Sequence, residues 1–319
     1  MGGNIKFRYK ILQEGGNVFK DQQSEPILRE NIKPTLKEFF RELSRIFPKA
    51  SKYFKDVKTL GSTGKKDVSG DIDLALDSEA FKNAEDWNID ENRAKELFVQ
   101  FKRKARTATD AMVMKRAFIV LIAEQIERDS SLIHVDIKQA GQGTLFTQFP
   151  QYDDSGKQVG KYVQIDVNIG NLDWLLFSYY SDGYQDSTCK GLHRTQLLVA
   201  LFAEQGLVFN HNYGVKDKET GKIVARTPKE AIDVLNKLYG FEVTPDILSN
   251  FFKLQEFLEK NLSKDQLEKL YGRYLKILDS TRCDIPSTLQ NYWLDNQDSL
   301  GLTGKYLPSS SVLFPFREL

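Results

Sequence analysis

The sequence predicts an α/β (α+β) chain: a mixed sheet flanked by helices, then a small hairpin-containing region and a C-terminal helical region. Three observations predict it. Asp71-Ile72-Asp73-Leu74-Ala75-Leu76 and Val163-Gln164-Ile165-Asp166-Val167 alternate with the period of strands. Ile32, Leu36, Phe39, Phe40, Leu43 and Phe47 recur at helical spacing. From Pro245 onward the apolar residues Leu248, Phe251, Phe252, Leu254 and Leu258, then Leu267, Leu270, Tyr274 and Leu278, keep that spacing.

In order, Phe7 to Leu12 is predicted to be a short strand and Glu14-Gly15-Gly16-Asn17 a turn. A helix follows within Ile27 to Phe47, starting near Pro34 because proline is favoured in a first turn, and ending at Pro48. Val57 to Leu60 forms a strand leading into Gly61-Ser62, and Asp71 to Leu76 forms the next. Asn92 to Lys104 and Asp110 to Arg128 are expected helices, the second with Met112, Phe118, Leu121, Ile122 and Ile126 inward. Strands are expected over Ile133 to Ile137, Leu145 to Phe149 and Tyr162 to Asn168, with Asp153-Asp154-Ser155-Gly156 as a hairpin turn. Asn171 to Tyr180 and Gly191 to Gln205 read as helices, the latter stopped by Gly206. Thr227-Pro228-Lys229-Glu230 carries an N-cap, a first-turn proline and a capping-box glutamate, opening a helix that Gly240 stops. The Gly-, Ser- and Pro-containing stretch from about Asp295 reads as a loosely held tail.

Composition narrows the function classes. The 319 residues, 40% hydrophobic, suffice for two ordinary domains. With 45 basic and 44 acidic side chains, global charge does not announce a nucleic-acid binder, so any basic surface is local. Cys189 and Cys283 are far apart and fit a reducing compartment better than a disulfide framework. No signal-peptide pattern or membrane-length apolar run stands in the sequence, and Lys6 occupies the place where a myristoylation motif needs Ser or Thr. The expectation is a cytoplasmic protein, of a cell or of a virus-infected host, with no membrane partner.

The chemistry gathers in Leu60 to Asp77. Gly61-Ser62 after a strand lets a phosphate approach the backbone, since glycine places no side chain in the way. In a strand Asp71 and Asp73 project together while Ile72 and Leu74 pack behind. Two like charges on one face are relieved by a divalent cation, which prefers oxygen ligands. A phosphate cradle beside a carboxylate pair implies metal-assisted phosphoryl chemistry. Ser62 would contribute its hydroxyl and backbone N–H groups. Lys65 and Lys66 either neutralise phosphates or belong to a solvated loop. A two-metal site needs a third acid from a neighbouring strand, and Asp136 and Asp166 both qualify.

Gly61-Ser62, a spacer, then Ser69-Gly70-Asp71-Ile72-Asp73-Leu74 resembles the signature of the polymerase-beta-like nucleotidyltransferase superfamily. Its motif order is closest to the palm and thumb of the family-X DNA polymerases. That family places its third Asp on a strand written apolar-x-Ile-Asp-apolar, then an aromatic segment, then a helix with an Arg near its start. Val163-Gln164-Ile165-Asp166-Val167, Trp174 to Ser181 and Gly191-Leu192-His193-Arg194 follow in that order, which favours Asp166 over Asp136. The stretch Gly214 to Val224 followed by Thr227 to Glu230 resembles the family's small hairpin domain and its helix. The likeness spans roughly residues 34–240. It departs in lacking a glycine within Phe177 to Tyr180, which bears on sugar selectivity. The long stretch between Asp77 and Tyr162 is also unlike the family, and no helix-hairpin-helix motif precedes the palm.

The resemblance implies a palm-like catalytic domain over 1–185 with an insertion at about 78–160. A thumb-like and C-terminal helical region follows over 186–319. It further implies Mg²⁺ (or Mn²⁺) held by Asp71, Asp73 and Asp166, with an NTP or dNTP bound through Gly61, Ser62, Lys65, Lys66 and Arg194. The acceptor hydroxyl expected first is an RNA or DNA 3′ end, reached through the basic cluster Lys102, Arg103, Lys104 and Arg106, with Lys115 and Arg116 beyond. The default reading of that cluster is a solvated helix face, with a nucleic-acid backbone contact as the sharper one. The alternatives are nucleotidylation of a protein or small-molecule hydroxyl, and a non-catalytic interaction protein that keeps the fold. His134 and the aromatics Trp174, Tyr179 and Tyr180 are expected to be structural before ligand-binding.

Overall fold

The computed structural model describes Phe19 and residues 24–104, 108–140, 143–181, 191–281 and 287–296. The expected strand Phe7 to Leu12, the turn Glu14 to Asn17, Arg106, both cysteines and the C-terminal tail beyond residue 296 lie outside the described residues.

The short strand β1 (Ile27–Leu28) runs directly into helix α1 (Arg29–Ile46). The helix therefore begins before Pro34, which lies inside it and is buried. Proline at that place forgoes one i→i−4 hydrogen bond, and the packing of Ile32, Phe39, Leu43 and Ile46 against the sheet outweighs that loss. A 3-10 turn over residues 49–56 leads to β2 (Lys58–Thr59). Next come β3 (Val68–Ser69), which pairs with β1, and β4 (Ile72–Asp77). Helices α2 (Glu91–Lys104) and α3 (Asp110–Asp129) follow. Val113, Ala117, Ile119 and Ile122 are buried on α3, whereas Met112 is only half-buried. The inward stripe is broader than expected because α2 covers one side of α3 while the sheet takes the other.

After α3, β5 (His134–Val135) is shorter than the strand expected over Ile133 to Ile137. Asp136 ends it, its carboxylate accepting the N–H of Gln139 at 3.0 Å as the chain turns into α4 (Ile137–Ala140). The hairpin β6 (Thr144–Tyr152) and β7 (Gln158–Gly170) is longer than expected, with its turn at Asp153 to Lys157. Pro150 sits within β6. It is tolerated because β5 pairs only as far as Gln148, leaving that side of β6 as an edge.

These strands form one mixed sheet in the order β2-β4-β7-β6-β5, in which β4 and β7 are parallel neighbours and the other pairs are antiparallel. Ile72, Leu74 and Leu76 of β4 and Val163, Ile165, Val167 and Ile169 of β7 join α1 and α3 in one core. Within the stretch 78–160, α3 fills that core and β6 is the direct partner of β7.

Helix α5 (Leu172–Ser178) leaves the sheet, and α6 (Gly191–Glu204) opens the second half. A three-stranded sheet of β8 (Leu207–Asn210), β9 (Gly214–Asp217) and β10 (Ile223–Ala225) follows. Helix α7 (Pro228–Tyr239) has the expected capping box between Thr227 and Glu230, and Gly240 ends it at φ +69°. The rest is helical: α8 (Pro245–Ser249), α9 (Phe251–Asn261), α10 (Lys264–Thr281) and α11 (Ser287–Asp295). Trp174, Leu201, Phe202, Leu254, Tyr274 and Trp293 belong to a second core. The two cores divide between Ile169 and Trp174, ahead of residue 185, and a small group of Leu60, Ala75 and Leu175 bridges them.

Candidate active site

Parallel pairing places Asp73 of β4 directly opposite Asp166 of β7. Neighbouring strands lie about 4.8 Å apart and in-register side chains share a face. Asp71 precedes β4 by one residue and Asp73 by two, on the same side. The opposite face of both strands belongs to the apolar core, so alternation alone turns the three carboxylates away from it. Asp136 stands at the far edge of the sheet, occupied as a helix cap.

The electrostatics reflect that crowding. Burial raises the Asp71 carboxyl above its usual range. Burial first, then the charge of Asp71, pushes the Asp166 carboxyl up to about 8, against a smaller lowering by Gln164. Gln164, two residues earlier on the same face, donates its amide Nε2–H to both Asp166 oxygens at 3.0 Å.

The loop between β2 and β3 wraps around Asp73. Leu60 N–H donates to the Asp73 carbonyl at 2.8 Å, and Asp73 N–H donates to Thr63 Oγ1 at 3.0 Å. Gly61 adopts φ +57°, and a Cβ there would lie 3.3 Å from Asp73 Oδ2. Glycine is required twice over, for the left-handed turn and for the close approach of the carboxylate. The loop amides are mostly spent: Gly61 N–H on the Tyr179 carbonyl, Thr63 N–H on Leu60, Gly64 N–H on Ser69 Oγ and Lys65 N–H on the Ser62 carbonyl. Among the described residues the N–H and hydroxyl of Ser62 find no protein partner, so of the Gly61-Ser62 pair it is Ser62 that can meet an anion. Lys65 reaches back to the Ser181 carbonyl and lies 5.3 Å from the Tyr180 ring centroid. Lys66 is half-buried in the same loop.

Several expected ligand residues stand elsewhere. Arg194 is only 2% exposed and donates Nε–H to the Leu248 carbonyl and Nη1–H to the Phe177 carbonyl, both at 2.5 Å, with its guanidinium 4.6 Å from the Phe177 ring centroid. It ties α5, α6 and α8 together and is not offered to a triphosphate. Lys102 binds the Ala108 carbonyl and Asp110, bridging α2 to α3, while Arg103 and Lys104 are exposed. Lys115 and Arg116 do not extend that surface, because they turn into a half-buried position at the end of β7. His134 packs edge-on against Tyr162, Trp174 is fully buried with Nε1–H on the Asn210 carbonyl, and the Tyr179 hydroxyl donates to Asn168 Oδ1. Tyr180 is the one aromatic of the three with substantial exposure.

Three carboxylates form an all-oxygen donor set of the kind a hard divalent cation takes, and the mutual repulsion of Asp71 and Asp166 is what such a cation would relieve. Among the described residues, however, no group of three or more His, Cys, Asp or Glu side chains is arranged to hold a metal ion. The donor chemistry fits, and Gln164 already takes one acceptor position on each Asp166 oxygen. Sequence reasoning missed Gln164 and Thr63, although both lie within the motifs that flagged the aspartates. No known protein family matches the chain, and no curated protein matches it in sequence. Among the described residues no helix is long and apolar enough to cross a membrane.

Proposed function

We propose that this protein is a metal-dependent nucleotidyltransferase, moving a nucleoside monophosphate from an NTP or dNTP to a hydroxyl, with a nucleic-acid 3′ end as the first acceptor to test. The observation that carries this reading is the in-register placement of Asp73 opposite Asp166, with Asp71 beside them and, among the described residues, no protein partner for Ser62 in the adjoining loop. Asp71, Asp73 and Asp166 would hold Mg²⁺ or Mn²⁺, which supplies charge neutralisation for the triphosphate and acidification of the attacking hydroxyl.

The chain's own residues have definite tasks. Ser62 offers a hydroxyl and a backbone N–H to phosphate oxygens, on a loop held by Gly61 and Thr63. Asp166, in register opposite Asp73, would be held ionised by the bound cation and would serve as the carboxylate that receives the hydroxyl proton. Gln164 orients that carboxyl. Catalysis of this kind rests on positioning and charge placement rather than on a covalent intermediate.

One observation favours a non-catalytic interaction protein instead: the three carboxylates are not arranged to hold a metal, and Gln164 occupies Asp166. The same experiment separates the two. Each labelled triphosphate is incubated with Mg²⁺ or Mn²⁺ and a panel of short RNA and DNA strands, for wild type and for the double variant Asp71→Asn, Asp73→Asn. Transfer by wild type and its loss in a variant that still unfolds cooperatively is the expected result. Wild-type incorporation by the double variant would sink the reading, and absence of both product and nucleotide-dependent stabilisation in wild type would favour the interaction protein.

A further inference from the structure

The pairing of β2 with β4 ends beside Asp73 with half of a bond pair replaced by a side chain. Lys58 opposes Ala75 and Thr59 opposes Leu74. The next residues to meet are Leu60 and Asp73, and Leu60 N–H donates to the Asp73 carbonyl at 2.8 Å. In an antiparallel ladder two residues joined in this way exchange both bonds, so the Asp73 N–H would return to the Leu60 carbonyl. Thr63 takes both ends of that return bond instead. Its N–H donates to the Leu60 carbonyl at 3.2 Å, and its Oγ1 accepts the Asp73 N–H at 3.0 Å. Thr63 is 5% exposed, which shields both bonds from solvent.

This replacement lets the chain leave the sheet without orphaning the Asp73 amide. The bond from Thr63 to Leu60 closes a four-residue turn in which Gly61 and Ser62 are the central residues. Gly61 supplies the positive φ of +57° that such a turn uses, and a Cβ on it would lie 3.3 Å from Asp73 Oδ2, so the turn rests against the carboxylate. Ser62 is held between two anchors: the Gly61 N–H on the Tyr179 carbonyl before it, and Thr63 after it. One buried hydroxyl thus ties the backbone of Asp73 to the residue that follows Ser62.

We infer that Thr63 is a positioning residue for the proposed transfer, fixing Ser62, which faces the phosphates, relative to Asp73, which faces the metal. The inference rests on the nucleotidyltransferase reading for the tasks of Ser62 and Asp73. Thr63 acts through these two neighbours, since its hydroxyl oxygen accepts a backbone amide. What it sets is the spacing between the phosphate contact and the carboxylate, and a misplacement of about 1 Å in such a constellation can cost on the order of a hundredfold in rate. Serine at this position keeps the acceptor oxygen, whereas valine has nearly the shape of threonine and cannot accept.

The test compares Thr63→Val with Thr63→Ser in the full chain. The first readout uses neither metal nor nucleotide: amide hydrogen exchange in EDTA, followed residue by residue by NMR. The Asp73 amide should exchange at least about tenfold faster in Thr63→Val, with Thr63→Ser close to wild type and the amides of α1 unchanged in both. The second is a double-mutant cycle with Ser62→Ala, using the labelled triphosphate and acceptor strand on which wild type acts. Thr63→Val should lower kcat/KM at least about tenfold, chiefly through kcat, and Thr63→Ser should recover most of the loss. With Ser62→Ala already present, Thr63→Val should cost much less, because the two residues act as a unit. Should Thr63→Val fail to unfold cooperatively, Thr63→Ala, which adds no methyl against the Asp73 amide, replaces it in both measurements. Unchanged Asp73 exchange, wild-type transfer by the hydroxyl-free variant, or strictly additive losses in the cycle would each overturn the positioning role and leave nucleotidyl transfer standing. Absence of transfer by wild type would remove that reading and the positioning role with it.

Discussion

Replacing Asp166 by Asn should make the metal-free protein more stable at neutral pH and flatten its pH dependence. An ordinary aspartate ionises near 3.8, whereas Asp166 keeps its proton to about 8. Between those values the native state binds a proton that the unfolded chain has lost. Stability is therefore fully present below the lower value and falls as pH rises toward the upper one. The slope is about 1.4 kcal/mol per pH unit, so pH 5 to pH 7 would remove up to about 3 kcal/mol. Asp166 is half-buried rather than sealed, and solvent screening makes that the upper end. Asparagine keeps the shape, can still accept from Gln164, and cannot ionise. Urea unfolding in EDTA at unit steps from pH 5 to pH 8 should give a falling series for wild type and a flatter one for Asp166→Asn, with the variant the more stable at pH 8. Asp71→Asn, which removes one of the two causes of the shift, should fall between them. Equal slopes for wild type and Asp166→Asn, or a variant less stable than wild type at pH 8, would refute the reasoning.

Other substitutions probe other parts of the structure. Gly61→Ala forces a side chain into the left-handed region and to 3.3 Å from Asp73 Oδ2; it should cost about 1 kcal/mol in denaturation and reduce nucleotidyl transfer far more than that loss implies. Arg194→Met leaves the Leu248 and Phe177 carbonyls without their buried donor. It should destabilise by about 3 kcal/mol in urea while leaving nucleotide affinity of the folded fraction unchanged. Thr227→Ala breaks the capping box of α7 and should lower stability by about 1 kcal/mol in the same assay, without effect on transfer.

What the sequence disclosed followed from short-range rules. Alternation in Asp71 to Leu76 and Val163 to Asn168 located β4 and β7 and the face their acids share, because a strand's period depends only on the strand itself. Thr227 to Glu230 announced α7 through hydrogen bonds confined to one turn. Pro34 misplaced the start of α1, since tertiary packing of Ile32 and Phe39 decides whether a helix can carry an internal proline. Asp136 looked like a strand acid until the chain turned into α4 and used its carboxylate as a cap. Arg194 and Lys115 were misjudged for a common reason. Local pattern says that a cation lies on a helix, but only the packing of distant segments, α8 for Arg194 and the β8–β9 turn for Lys115, says whether it meets solvent, a carbonyl or a ring. The Asp73–Asp166 register is equally long-range, and motif order suggested it without being able to supply the pairing.

β7 carries two opposite electrostatic demands within a few residues. Asp166 stands with Asp71 and Asp73 on one face, and among the described residues no Lys or Arg side chain is hydrogen-bonded to its carboxylate. Three positions later the Ile169 carbonyl receives Lys115, whose neighbour is Arg116 and which, among the described residues, forms no ion pair. If stability alone governed, these charges would pair, since an ion pair removes two buried penalties at once. Geometry prevents it, because alternation along β7 sends the Asp166 side chain to one face while α3 delivers Lys115 from the other. On the proposed reading a divalent cation would answer the carboxylates, whereas Lys115 is answered within the chain by the Ile169 carbonyl and the Tyr213 ring.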